Sequence, residues 1–116
     1  MNNVMKNLED KMVVNLKEYL EVIKADYRAF FKGRNDEIAQ KMISEFESGV
    51  EVEVGNKYIK VITGSSVHSF ICMNDMGKFT KGDILKAAGW RAPAKNFARG
   101  NLLSKDFSRV RWTGVM

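Results

Sequence analysis

Val50-Glu51-Val52-Glu53-Val54-Gly55-Asn56-Lys57-Tyr58-Ile59-Lys60-Val61-Ile62 is the stretch that decides the fold class. Apolar and charged residues alternate strictly through Val54, and Gly55-Asn56 is turn chemistry. Apolar residues then resume, which predicts a β-hairpin. Gly64-Ser65-Ser66 turns the chain again into a strand-like run, Val67–Met73, and Asn74-Asp75-Met76-Gly77 ends that run. Upstream the period changes from two to helical. Ile38, Ala39, Met42, Ile43 and Phe46 share one face of a helix predicted over Asp36–Glu47, with Asn35 as N-cap and Gly49 as stop. Before it, Met5, Leu8, Met12, Leu16, Leu20, Ile23, Tyr27 and Phe30 mark a helix from Val4 to Phe31, closed by Gly33.

Downstream, Asp83–Ala88 before Gly89 reads as a short capped helix, and Pro93 opens a second short one that ends at Gly100. Arg109-Val110-Arg111-Trp112-Thr113 alternates and reads as the last strand. The expected fold is α+β: an N-terminal helical hairpin, one long helix and one shorter, then an antiparallel β-sheet with short inserted helices. Nothing in the 116 residues marks a linker or a repeat, so one domain is expected. A helix from Val4 to Phe31 would be roughly 42 Å long. A chain of this size has a radius of gyration near ~13 Å. Part of its apolar stripe is therefore expected to pack on a second copy, giving residues 1–49 a role in oligomerisation.

Charge is uneven. Net charge is +5, yet residues 1–49 hold eight basic and nine acidic side chains, and residues 50–116 hold eleven and five. An anionic partner should meet the second half. Cys72 is the only cysteine and sits in an apolar run, so it reads as a buried small hydrophobe in a reducing compartment. No apolar run approaches a membrane span, and the first residues lack a secretory apolar core, so a cytoplasmic protein without membrane contact is expected.

Residues 78–116 hold nine Lys/Arg against Asp83 and Asp106, with Phe79, Trp90, Phe97, Phe107 and Trp112 among them. Guanidiniums and ammoniums bind phosphate, and flat rings stack on bases, so this composition suits a nucleotide. On a strand Arg109 and Arg111 share a face about 7 Å apart. That spacing matches two phosphates. They could equally pair with Glu51 and Glu53; an unpaired one-face pair costs strand stability, which favours an anionic ligand. Arg28 lies in a cationic stripe with Lys24 and Lys32, and Asn96 lies in a Gly- and Ala-containing segment where it could read a base edge. His68 in an alternating strand reads as structural, and no cysteine, histidine and carboxylate set has metal spacing. Binding without catalysis, cofactor or metal is the expectation. The alternative is a small basic nucleic-acid-binding protein.

The pattern K-F-x-x-G-D-I-L-K-A-A-x-W-x-A-P-A-K-N-x-A-R-G-N at residues 78–101, followed by R-V-R-W-T-G at 109–114, resembles small tailed-phage proteins. More narrowly it resembles the first type of phage Thoeris anti-defence protein. The resemblance implies a sponge that sequesters cyclic ADP-ribose isomers made by a host Toll/interleukin-receptor-domain enzyme, and at separate sites cyclic oligonucleotide signals, without degrading them. It also implies a homohexamer built as a trimer of dimers. By residue it places Phe79 against adenine, Asn96 as a polar reader, Arg109 and Arg111 on the phosphates, and Arg28 and Arg91 at the second site.

Overall fold

The computed structural model describes residues 9–116. Helix α1 (Asp10–Phe30) is followed by α2 (Glu37–Ser48). Strands β1 (Val50–Val54), β2 (Tyr58–Thr63), β3 (Ser66–Cys72) and β4 (Ile84–Lys86) form an antiparallel sheet in the order β1-β2-β3-β4. Strands β5 (Val110–Arg111) and β6 (Gly114–Val115) form a separate two-stranded ladder. The α+β class and the order of helices before sheet are as the sequence predicts.

The hairpin register follows the alternation: Glu51 faces Ile62, Val52 faces Val61 and Val54 faces Ile59. The sheet is two-sided. Ile59, Val61, Ile71 and Ile84 point to one face and join Met12, Leu16, Tyr19 and Ile23 of α1 in the main core. The other face carries Tyr58, Phe70, Cys72 and Leu85. Strand residues two apart share a side, which is why Tyr58 and Lys60 of β2 belong together there.

Helix α1 spans 21 residues where the periodicity predicted 28; the expected first turn, with Met5 and Leu8, lies outside the described residues. Its length is about 32 Å, within the molecule's 47 Å long dimension. Met12, Val13, Leu16, Tyr19, Ile23 and Tyr27 are buried within this one chain. Most of the described stripe is thus covered at home, while its last member, Phe30, stays exposed with Ile38 and Met42 on the helical hairpin. Gly33 takes a left-handed φ of 81° at the link, a conformation glycine adopts without steric penalty. The N-cap of α2 is Asp36 rather than the expected Asn35: its carboxylate accepts from the Ala39 N–H at 3.0 Å. Aromatic rings and one hydrogen bond join the two helices to the C-terminal ladder. Tyr27 stacks on Phe46 at 4.1 Å, Trp112 meets Tyr27 edge-on at 4.9 Å, and the Trp112 N–H donates to Asp26 at 2.8 Å. Trp112 is therefore a structural ring that fastens the C-terminal ladder to both helices.

The two short helices expected after residue 82 are not helices. Ile84–Lys86 is strand β4, pairing Phe70 with Leu85 and Ile71 with Ile84. Six residues are too few to repay helix nucleation. Ile84 and Leu85, both buried, instead serve opposite faces of the sheet. Asp83 does not cap a helix; it accepts from the Thr80 N–H at 2.9 Å and from Asn101 Nδ2 at 2.9 Å. The segment from Pro93 to Asn101 returns irregularly along the outer edge of β4: Ala94 N–H donates to Lys86, Arg99 N–H to Ile84, and Ile84 N–H to Gly100. Backbone groups that a helix would have satisfied internally are satisfied across this edge.

His68 is buried in a closed polar chain. Its Nε2 lies 2.6 Å from the Arg111 carbonyl and so carries the proton; Nδ1 accepts from the Ser69 hydroxyl at 2.9 Å, and Ser69 Oγ accepts from the Tyr19 hydroxyl at 2.6 Å. Burial pushes the His68 pKa below its ordinary 6.5, the Arg111 carbonyl opposing weakly, and burial raises the Tyr19 phenol. The neutral imidazole thus stabilises the fold fully above pH 6.5, and that stability is lost as pH falls below it toward the folded pKa. Urea unfolding of wild type should lose up to about 1.4 kcal/mol per pH unit as pH falls from about 6.5 toward the depressed folded-state pKa. His68→Gln should show a flatter profile; parallel profiles would contradict the assignment.

Candidate functional site

Two clefts adjoin on the sheet face opposite α1. The larger, of about 530 Å³, lies between the β1–β2 turn, the 74–79 turn and the returning segment, and is lined by Lys57, Tyr58, Asp75, Lys78, Phe79 and Lys95 among others. Its shape follows from a tight turn: Met76 and Phe79 exchange backbone hydrogen bonds at 2.9 and 3.0 Å. That turn seats the Phe79 ring on Phe70, Cys72 and Leu85. The smaller, of about 290 Å³, is lined by Glu53, Lys57, Tyr58, Lys60, Phe70 and Arg91. Lys57 and Tyr58 belong to both.

Five cations and two carboxylates, Glu53 and Asp75, line the combined groove. Lys60 approaches Glu53 at 4.0 Å and also lies 5.0 Å from the Trp90 ring centroid. Asp75 accepts from the Lys81 backbone N–H at 2.8 Å. Lys78 donates to the Asn96 carbonyl at 2.6 Å, which ties the 76–79 turn to the returning segment. Among the described residues Lys57, Lys78, Arg91 and Lys95 form no ion pair. Such a surplus of charge beside aromatic walls is suited to an anion that also carries a ring. A volume of several hundred Å³ is that of a small-molecule site.

Of the residues singled out from sequence, Phe79 lines the larger cleft and Arg91 the smaller. Asn96 lines neither cleft, its Oδ1 accepting from the Phe97 N–H and from Arg99 Nη1, both at 2.9 Å. Arg109 and Arg111 flank buried Val110 as the alternation predicts, but the strand expected over residues 109–113 is only Val110–Arg111, because Trp112 and Thr113 form the turn into β6. The two arginines line neither cleft and pair with neither Glu51 nor Glu53. Arg111 folds back onto the carbonyls of Val110 and Ser108 at 2.9 and 3.3 Å, and Arg109 lies 5.7 Å from the Phe97 ring. Arg28 pairs with Glu47 across the helical hairpin. Lys57, Tyr58, Lys60 and Lys95 also line the clefts and are not among the residues the sequence singles out. The available signal was that Tyr58 and Lys60 share a side of β2 beside a Lys-bearing turn. Cys72 is fully buried, and burial with the nearby Asp83 charge pushes its thiol up to about 11, which holds it protonated near neutral pH as a small core residue.

Residues 2–116, nearly the whole chain, match a family model. The chain belongs to that family, a family of unknown function (DUF7717). No curated protein and no solved structure matches it. Among the described residues no helix is long and apolar enough to cross a membrane, and no group of three potential metal ligands converges.

Proposed function

We propose that this member of the family captures a small nucleotide in the Lys57–Tyr58 groove and holds it unaltered. The observation that carries this reading is the set of unpaired cations, Lys57, Lys78, Lys95 and Arg91, around the Tyr58 and Phe79 rings. Phosphates would sit on the ammoniums through charge-assisted hydrogen bonds, and the base would lie along the aromatic wall. With the resemblance of residues 78–114 to the Thoeris anti-defence family, the ligand is a cyclic nucleotide immune signal, first of all a cyclic ADP-ribose isomer. Sequestering it in the cytoplasm of an infected bacterium would block Thoeris-type immunity. Assembly into a homo-oligomer, from dimer to hexamer, would use the exposed Phe30, Ile38 and Met42 of the helical hairpin.

A thermal-shift panel of cyclic nucleotides tests the proposal, since a ligand that binds only the native state raises its melting temperature. Each lost charge-assisted contact is worth about 1.5–3 kcal/mol. Lys57→Ala with Lys95→Ala should therefore weaken capture by at least about a hundredfold. Arg109→Ala with Arg111→Ala should weaken it much less; the reverse order would move the site to the C-terminal ladder. Heating the loaded protein should release intact ligand, and a hydrolysed product would point to an enzyme. Steep weakening with salt and a preference for polymer would favour the nucleic-acid reading.

A further inference from the structure

Arg99 is the one buried cation among the described residues, only 6% exposed, and no carboxylate pairs with it. Its Nη1 is occupied, donating to Asn96 Oδ1 at 2.9 Å and to the Phe97 carbonyl at 3.1 Å. Its Nε is enclosed and has no acceptor among the described residues, and Nη2 donates to none of them either. Nε and Nη2 form the side of the guanidinium that donates to two oxygens of a phosphate or carboxylate at once. The guanidinium carbon lies 3.9 Å from the centroid of the Phe97 ring, which is half exposed, and Arg109 approaches the same ring at 5.7 Å.

A stacked ring offsets part of the cost of burying a charge, and the two hydrogen bonds that Nη1 donates offset more. Neither supplies a counter-charge. Removing a cation from water without one is among the costliest arrangements in a protein interior. The hydrogen bonds to Asn96 and Phe97 fix the guanidinium's plane, so its unoccupied side keeps one direction.

We infer that the Nε/Nη2 side of Arg99 is an oxyanion site that takes a phosphate group, with Arg109, which approaches the same Phe97 ring, as a second, exposed cation. It lies outside both clefts. The phosphate reaches Nη2 first, and a small shift of the irregular 96–100 segment admits its second oxygen to Nε. The group can be free phosphate or the terminal phosphate of a larger ester. The inference stands independently of nucleotide capture in the Lys57–Tyr58 groove.

The test uses the full chain and inorganic phosphate, titrated against chloride at matched ionic strength while the arginine Nε–H resonances are followed by NMR. Arg99 Nε–H should move saturably with phosphate, and phosphate should raise the melting temperature above the chloride control. Arg99→Lys keeps the charge and loses the two-pronged geometry, so phosphate affinity should fall at least tenfold. Arg109→Gln, at the surface, should weaken binding severalfold and covers the case in which Arg99→Lys does not fold. Lys57→Ala with Lys95→Ala should leave phosphate binding at Arg99 unchanged. Repeating the titration with phenyl phosphate separates the sources: tighter binding than free phosphate marks an ester site. An unmoved Arg99 resonance, or a thermal shift equal to that in chloride, overturns the inference. So does wild-type phosphate affinity in Arg109→Gln and Arg99→Lys together.

Discussion

Gly100→Ala is expected to destabilise the protein by about 3 kcal/mol or more. A Cβ at residue 100 would stand 2.3 Å from the Asp106 carbonyl oxygen and 3.5 Å from Ile84 Cδ1. The first contact is with backbone, so no side-chain rotation can relieve it. The Asp106 carbonyl is itself held, accepting from the Asn101 N–H at 3.3 Å, while the Asp106 N–H donates to Asn101 at 3.0 Å. On the other side the Gly100 carbonyl accepts from Ile84 N–H at 2.9 Å. Residue 100 is thus pinched between β4 and the 102–106 turn, and a methyl group must force one of them away. At a urea dependence of about 1–3 kcal/mol per molar, the unfolding midpoint should fall by about 1–3 M. Gly89→Ala is the control: an added Cβ there meets nothing within 4 Å and the backbone is not left-handed. Its stability should stay within about 0.5 kcal/mol of wild type. Equal midpoints for the two variants would mean that the close approach at residue 100 does not exist in solution.

The pinch at Gly100 lies in the part of the chain whose structure its local pattern does not declare. Residues 50–62 declared their register because one side chain in two must face a core, and the period is visible without knowing what lies opposite. The helices declared themselves for the same reason, and even Gly33 was legible as a stop. Residues 83–101 carry no such period. Asp83 followed by Ile, Leu, Lys, Ala and Ala looks like a capped helix locally. Its strand conformation is imposed by the free edge of β3 and by the Pro93–Asn101 segment on the far side. Those are tertiary partners, and local propensity yields to them. The candidate site was legible in composition and only partly in position. Phe79 and Arg91 line the groove, whereas Lys57 and Lys60 come from the strongest hairpin in the chain and drew no notice as ligand groups. Arg99 was invisible as a special case, because nothing in a sequence says which of eleven cations in residues 50–116 will be buried.

Leu85→Ala and Ile84→Ala should each cost about 2–5 kcal/mol of stability, yet differ in what they do to the groove. The two side chains are adjacent, fully buried and similar in volume. They point to opposite faces of β4, because successive strand residues alternate. Ile84 joins the large core under α1, with Met12, Leu16, Tyr19 and Ile23. Leu85 belongs to the smaller cluster of Phe70, Cys72 and Phe79, on which Tyr58 and Met76 rest. Truncating Leu85 therefore removes support from beneath the two rings that wall the larger cleft. A cluster with four buried members has few neighbours able to move into the space, so the void persists. Under conditions where both variants remain folded, Leu85→Ala should weaken capture of the cyclic ADP-ribose isomer about tenfold, and Ile84→Ala should leave it near wild type. Urea midpoints establish that the two losses of stability are comparable, and the thermal-shift panel then reads capture at matched stability. If both variants lost capture equally, binding would depend on global stability alone. If only Ile84→Ala lost it, the ligand would have to sit on the α1 side of the sheet, and the Lys57–Tyr58 groove would not be the site.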